Sequence, residues 1–204
     1  MMTRTLKTAL LLTLAASRAL PQSAQLPDGL YAVFATSAGN FTAKLLEKDT
    51  PESVRAFVGL AQGTKAWKDP KTRKMVTRPL YDNLLFYRVL NGDMIQSGSP
   101  TGTSAWDCGF TIRDEFLPGL KFDRSGRLAM ANSGGDNSGG CQFFLTMGPM
   151  RSWDGKYTIF GNVVDGMEVV EKINHAPAHG ELPVHPVTLI GVTIKRVGPE
   201  PRKR

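Results

Sequence analysis

Between Leu85 and Thr103 the chain reads LFYRVLNGDMIQSGSPTGT, a stretch that sets one cation among apolar residues. Leu85, Tyr87 and Val89 alternate with Phe86, Arg88 and Leu90, the period of a half-buried strand. Asn91-Gly92 is a strong turn dipeptide, and Met94-Ile95-Gln96 resumes an apolar run. Arg88 near Phe86, Met94 and Gln96 in one hairpin describes a cationic donor in an apolar wall. The same pattern fits an ordinary surface arginine, facing solvent or paired with a carboxylate, because most charged residues in strands lie on the surface. Residues of similar character follow downstream in Met130-Ala131-Asn132, Gln142-Phe143-Phe144 and Trp153-Asp154-Gly155-Lys156. None is a nucleophile or general base with an activating partner. What they share is apolar surface and hydrogen-bonding capacity; taken singly they read as core aromatics and turn residues.

Two other groups of residues could do chemistry. Gly135 to Gly140, GDNSGG, resembles the nucleophile loop of trypsin-like serine proteases with Asn137 inserted. Ser138 would need a histidine and an aspartate to activate it. All three histidines, His175, His179 and His185, follow this loop, whereas the trypsin-like order puts histidine first. A serine protease is therefore a remote alternative. His175 and His179 have helix-like spacing, but Pro177 interrupts it and no Cys or carboxylate set accompanies it. No metal site is expected. No phosphate-binding glycine motif is present, so no nucleotide cofactor is expected either.

The elements that must position these residues are short. Gly29 to Thr36 and Phe41 to Leu46 read as strands joined by Ser37-Ala38-Gly39-Asn40. Thr50-Pro51-Glu52 is a helix start, with Thr50 as N-cap and proline at the first helical position. Val54, Phe57, Val58 and Ala61 give its apolar stripe, and Gly63 ends it. Residues 64–78 form a basic polar loop without periodicity. Further strands are expected at Phe110 to Phe116, Gly126 to Asn132, Cys141 to Met147, Lys156 to Val164 and Val187 to Val197. A second helix opens at Asp165-Gly166, with Met167, Val170 and Ile173 inward, and His175 to His185 is a loop. The fold class is mainly β: many short strands and two distant helices predict a closed β-barrel capped by a helix at each end.

At 204 residues the length suits one domain with a sizeable core. The formal charge of +7 is unevenly spread. Arg4, Lys7 and Arg18 lie in residues 1–24, which carry no acid, and the basic tail 198–204 (GPEPRKR) holds three more cations. The body is only mildly basic, so no nucleic-acid partner is expected. Residues 1–24 have the layout of a secretory signal peptide: a basic start, an apolar run from Thr8 to Ser17, then small residues, with cleavage after Ala19 or Ala24. That run is too short to span a bilayer, so no stable membrane insertion is expected. The mature protein is expected to be exported, periplasmic or secreted. The two cysteines, Cys108 and Cys141, are open at this point between a disulfide and two free thiols.

Taken together, the stretches named above resemble the cyclophilin family of peptidyl-prolyl cis-trans isomerases, in particular its bacterial members, over residues 28–197. FYRVLNGDMIQSGSP is similar to the family's F-H-R-V-x-x-x-F-M-I-Q-G-G-D-P. LAMANSGGDNSGGCQFF is similar to L-x-M-A-N-x-G-x-N-x-N-G-S-Q-F-F, and SWDGKYTIFGNVVDGMEVV to W-L-D-G-K-H-x-V-F-G-x-V-x-x-G-M-x-V-V. The resemblance implies an eight-stranded antiparallel barrel capped by two helices, with the active groove on its outer surface. It implies an isomerase of X-Pro bonds in which Arg88 is the catalytic donor, Gln96 orients it, and Asn132 holds the substrate backbone. Phe86, Met94, Ala131, Gln142, Phe144, Trp153 and Tyr157 are then the substrate-binding set. The partners it implies are proline-containing polypeptides, and a monomer is expected.

The sequence departs from the family at several positions. Asp93 stands where the family has a phenylalanine of the proline pocket; a carboxylate there would lower proline affinity or turn outward. It motivates an alternative, a catalytically weak peptide-binding or chaperone module of the same fold. Trp153 falls where the family usually has leucine, and Tyr157 takes the place of a histidine. Ser152 stands where many members have the tryptophan that contacts cyclosporin, so weak cyclosporin binding is expected. The loop between Asn132 and Gln142 has one extra residue. In the family, the loop holding Cys108 and the strand start at Cys141 border the same pocket, and on that ground a Cys108–Cys141 disulfide is expected.

Overall fold

The computed structural model describes residues 26–200; the expected signal peptide and the last four residues of the basic tail lie outside it. The strands are β1 (Gly29–Thr36), β2 (Gly39–Leu45), β3 (Trp67–Lys68), β4 (Met75–Val76), β5 (Leu84–Leu85), β6 (Arg88–Leu90), β7 (Met94–Ser97), β8 (Arg127–Met130), β9 (Phe143–Thr146), β10 (Ile159–Asp165), β11 (Ala178–His179), β12 (Leu182–Pro183) and β13 (Thr188–Val197). The helices are α1 (Pro51–Gln62) and α2 (Met167–Asn174). Nine strands form one sheet in the order β5-β13-β1-β2-β10-β8-β9-β7-β6, and two ribbons, β3-β4 and β11-β12, stand outside it.

The mainly β architecture with two helices is the expected one. In place of an eight-stranded closed cylinder, the structure has a nine-stranded antiparallel sheet curled on itself. Its two edge strands, β5 and β6, are successive pieces of chain separated only by Phe86 and Tyr87. The sheet must therefore bring its edges together, but no ladder joins them. At this seam the Ser97 hydroxyl donates to the Leu85 carbonyl at 2.9 Å, and the Phe86 amide donates to Val187 at 2.9 Å.

The interior is aromatic. Phe34 stacks on Phe41 with centroids 4.5 Å apart, and Phe143 meets Phe57 and Tyr81 edge-on at 5.7 and 5.5 Å. Val54, Phe57 and Leu60 of α1 and Val170 and Ile173 of α2 enter the same core. A second, smaller cluster lies on the other face: Met94, Phe122, Ala129, Phe144 and Ile159. Strand alternation sorts neighbours between the two. Phe143 goes to the interior and Phe144 to the outer cluster; Ile95 and Met94, and Phe160 and Ile159, divide the same way.

Helix α1 ends as expected at Gly63, whose φ of +72° is left-handed and whose added Cβ would lie 2.5 Å from the Pro79 ring. At its start Thr50 holds the expected N-cap position, with Pro51 first in the helix. Thr50 makes no side-chain cap; its hydroxyl bonds back to Leu46. The Glu115 carboxylate caps instead, accepting from the amides of Glu52 (3.0 Å) and Ser53 (2.9 Å) and from the Ser53 hydroxyl (2.7 Å). An anion at a helix N-terminus satisfies orphan N–H groups and complements the dipole. Phe110 to Phe116 is not a strand; it keeps one isolated bridge, Ile112 to Gly139, because its backbone is turned to reach α1. The loop of residues 64–78 carries the β3-β4 ribbon, and the histidine loop carries β11-β12. Glu115→Ala is expected to destabilise the fold by about 1–2 kcal/mol, measured by urea denaturation, with unchanged stability counting against the cap.

Candidate active site

The outer cluster floors a cavity of about 600 Å³. Phe144 on β9 meets Trp153 and Tyr157 edge-on, with centroids at 5.4 and 5.2 Å, and Trp153 and Tyr157 lie 5.8 Å apart. Phe122 stacks behind Phe144 at 5.9 Å. Met94 and Leu90 complete this end, and Ala131 and Asn132 form one rim. The three rings meet edge to face and give this end of the cavity an apolar, aromatic wall.

Arg88 stands at the edge of this recess, its side chain 34% exposed. It reaches the groove because β6 pairs with β7 in the register Arg88 to Gln96. A guanidinium only donates, so Gln96 must present its carbonyl to it; the Arg88 Nη1–Gln96 Oε1 distance is 3.1 Å. The Gln96 amide nitrogen then faces away and donates to Tyr87 Oη at 2.7 Å and to Gln142 Oε1 at 3.0 Å. Tyr87 also donates to Gln142 Oε1. Gln142 Nε2 in turn donates to the carbonyls of Ser104 and Trp106, both at 3.1 Å. Every amide orientation in this chain follows from the arginine. Burial raises the Tyr87 phenol well above its usual range, so it remains a neutral donor.

Nine of the ten expected site residues line the cavity: Arg88, Met94, Gln96, Ala131, Asn132, Gln142, Phe144, Trp153 and Tyr157. Phe86 does not. It is fully buried in the interior core. Alternation breaks at the seam, so Phe86 and Val89 both point inward while Arg88 turns out. Asn132 is placed at the rim, but its side chain is engaged within the protein: Nδ2 donates to Lys156 at 2.8 Å and Oδ1 accepts from Gly134 at 3.1 Å. Asp93 does not line the cavity. It sits in the β6-β7 turn, which the buried Asn174 clamps by accepting from Gly92 (2.8 Å) and donating to Leu90 and Met94 (2.8 and 3.1 Å).

Cys108 and Cys141 are free, buried thiols, a correction to the expected disulfide. The Cys108 thiol donates to the Phe110 carbonyl at 3.7 Å, and the neighbouring Cys108 together with burial pushes the Cys141 thiol up. The Ser138 hydroxyl braces its own loop, donating to Gly135 at 2.5 Å and accepting from Ser133 at 3.2 Å; among the described residues no histidine bonds to it. All three histidines are exposed. The extra loop residue has a place: Asn137, at φ +54°, exchanges hydrogen bonds with Asp114 at 2.7 and 2.9 Å.

One residue of the site has no local signal in the sequence. Glu181, in the turn of the β11-β12 ribbon, holds Arg88 with both oxygens: Nε–Oε2 2.5 Å and Nη2–Oε1 3.1 Å. The bonded arginine holds the Glu181 carboxyl below its usual range. The contact spans 93 positions of sequence, and only the fold brings the two together.

A curled antiparallel sheet with a single guanidinium over an aromatic recess on its outer face defines a cyclophilin-like protein. The family model described as cyclophilin type peptidyl-prolyl cis-trans isomerase matches residues 31–194, and the chain belongs to that family. Among curated proteins it is 39% identical over 172 residues to peptidyl-prolyl cis-trans isomerase B of Streptomyces anulatus, covering 82% of this chain and 98% of the relative. It is 40% identical over 162 residues to peptidyl-prolyl cis-trans isomerase A of Mycobacterium tuberculosis, covering 78% and 88%. Among solved structures it is similar to a cyclophilin type peptidyl-prolyl cis-trans isomerase of Cryptosporidium parvum, with a TM-score of 0.71, 27% identity and coverage of 82% and 98%. The same Cryptosporidium protein, solved in the presence of the dipeptide Ala-Pro, matches with the same TM-score. Denatured without reductant, the protein is expected to titrate two thiols with a disulfide-exchange reagent; a titre of zero would show the cysteines bonded.

Proposed function

We propose that this cyclophilin-type isomerase seats a substrate proline in the recess of Met94, Phe144, Trp153 and Tyr157 and twists the preceding amide against Arg88. The observation that carries this reading is the placing of Arg88 on the edge of that recess. An X-Pro amide resists rotation by about 18–20 kcal/mol because of C–N double-bond character. Twisting it returns a lone pair to the prolyl nitrogen. A donor aimed at that nitrogen binds the twisted amide better than either planar isomer, which is what lowers the barrier. Arg88 has five N–H groups and uses three on Gln96 and Glu181, so two remain for the substrate. No proton transfer and no covalent step are required. With the Asn132 side chain engaged, its backbone is the part that meets the substrate chain.

The alternative of a catalytically weak peptide-binding module depends on Asp93 entering the proline pocket. Asp93 does not line the cavity, and Trp153 supplies the apolar wall. Proline-containing polypeptides are the proposed substrates, a reading supported by the Cryptosporidium relative's having been solved in the presence of the dipeptide Ala-Pro. Weak cyclosporin binding is part of the proposal, on the ground that Ser152 offers no indole surface. So is a monomer, and so is export, which rests on the pattern of residues 1–24. N-terminal sequencing of the mature protein is expected to begin at Leu20 or Gln25, and an intact start in the exported fraction would reject export by this signal. Arg88→Ala is expected to lower kcat/KM about 100- to 1,000-fold in a protease-coupled prolyl isomerisation assay, and equal rates would reject the mechanism.

A further inference from the structure

Glu181 is exposed, yet its placement is fixed by backbone as well as by charge. The Val89 amide donates to the Glu181 carbonyl at 2.8 Å, so the residue after Arg88 is tied to the same residue that grips the arginine side chain. The ribbon is a two-residue hairpin, with Ala178 opposite Pro183 and His179 opposite Leu182. Gly180 takes φ +62° at the first central position, a tight turn that leaves the second central residue, Glu181, at the tip. A further bond, Val184 to Pro177 at 2.8 Å, closes the base. The ribbon thus covers the otherwise open edge of β6 and delivers a carboxylate beside the guanidinium.

The chemistry of that contact is specific. Both oxygens meet one side of the guanidinium, Nε and Nη2, as a fork. Gln96 takes one N–H of Nη1. Held at three points, a planar group cannot rotate about its last side-chain torsions, and its two remaining N–H groups keep one direction. Without the carboxylate, Gln96 alone restrains Nη1, and the guanidinium can swing about that single bond. A freely rotating donor must be ordered again each time the amide twists, a cost borne in the transition state.

We infer that Glu181 is a positioning residue of the isomerase: it acts through Arg88, fixing the direction of the two N–H groups that meet the twisted amide. The inference rests on the isomerase reading of the site. Because the restraint matters when the amide is twisted and little when a planar proline rests in the aromatic recess, its loss falls on kcat rather than on KM.

The test uses the full mature chain and the variants Glu181→Ala and Glu181→Gln, with a proline-containing peptide as substrate. Glu181→Ala is expected to lower kcat about 5- to 20-fold with KM within about twofold. Glu181→Gln keeps the shape and one acceptor oxygen, and is expected to recover part of the loss. An Arg88 Nε–H resonance visible in proton–nitrogen spectra of the free wild type is expected to vanish in Glu181→Ala, while the dispersed amide spectrum persists. Unchanged or faster turnover in Glu181→Ala would overturn the inference, as would a fall confined to KM or a persisting Nε–H signal. A wild type without isomerase activity would instead defeat the reading of the site, and the Nε–H comparison would still decide the restraint.

Discussion

The site depends on strand alternation in the part of the sheet, β7 to β9, that is buried on both faces. Along β7, β9 and β10, one set of side chains fills the barrel and the next set builds the floor of the groove. Phe143 and Phe144 are the clearest pair. One is enclosed by Phe34, Phe57 and Tyr81, and its neighbour meets Trp153 and Tyr157. The period of two leaves no freedom: a slip of one residue in β9 would drive the floor inward and the core outward. Core and groove therefore share the same strands, and the loop residues Phe122, Trp153 and Tyr157 pack onto the floor those strands provide.

Above that floor the polar groups follow from one charge. Arg88 has donors only, so it sets the orientation of Gln96, which sets that of Gln142, which holds the backbone of Ser104 and Trp106. The far lobe of the cavity is in this way hydrogen-bonded to its near edge. Buried amides are costly to leave unpaired, and here Gln96 and Gln142 both find partners at each end. The short relay Arg88–Gln96–Tyr87–Gln142 is thus a structural member as much as a part of the site.

Much of this was legible in the sequence. The two helices and the strands flanking the Asn132–Gln142 loop follow from short-range pattern, and nine of the ten residues that the family resemblance singles out line one cavity. What was not legible depends on distant contacts. Thr50 holds the N-cap position that the local pattern assigns it, but the capping hydrogen bonds come from Glu115, more than 60 residues away. Glu181 lies in a stretch that reads as a plain proline-histidine loop, and its partner is 93 positions earlier. Phe86 belongs to the groove by family resemblance, but the chain changes strands at Phe86 and Tyr87 and its ring enters the interior core. Asp93 aligns with a pocket residue, but the turn clamped by Asn174 leaves it off the cavity wall. The free thiols show the same limit, since the sequence places two cysteines near one pocket without stating their bonding.

The seam at Phe86 and Tyr87 has a mechanical meaning. Everywhere else around the barrel, neighbouring strands are held by ladders of hydrogen bonds. Between β5 and β6 the circumference is closed by the covalent chain, one serine hydroxyl and the ribbon that covers β6. Arg88 is the first residue past that joint. No ladder fixes the spacing of the two edges at that joint, so the guanidinium owes its place to its own bonds to Gln96 and Glu181. The cation over the aromatic recess sits beside the break in the sheet's circumference, braced by side chains and not by strand pairing.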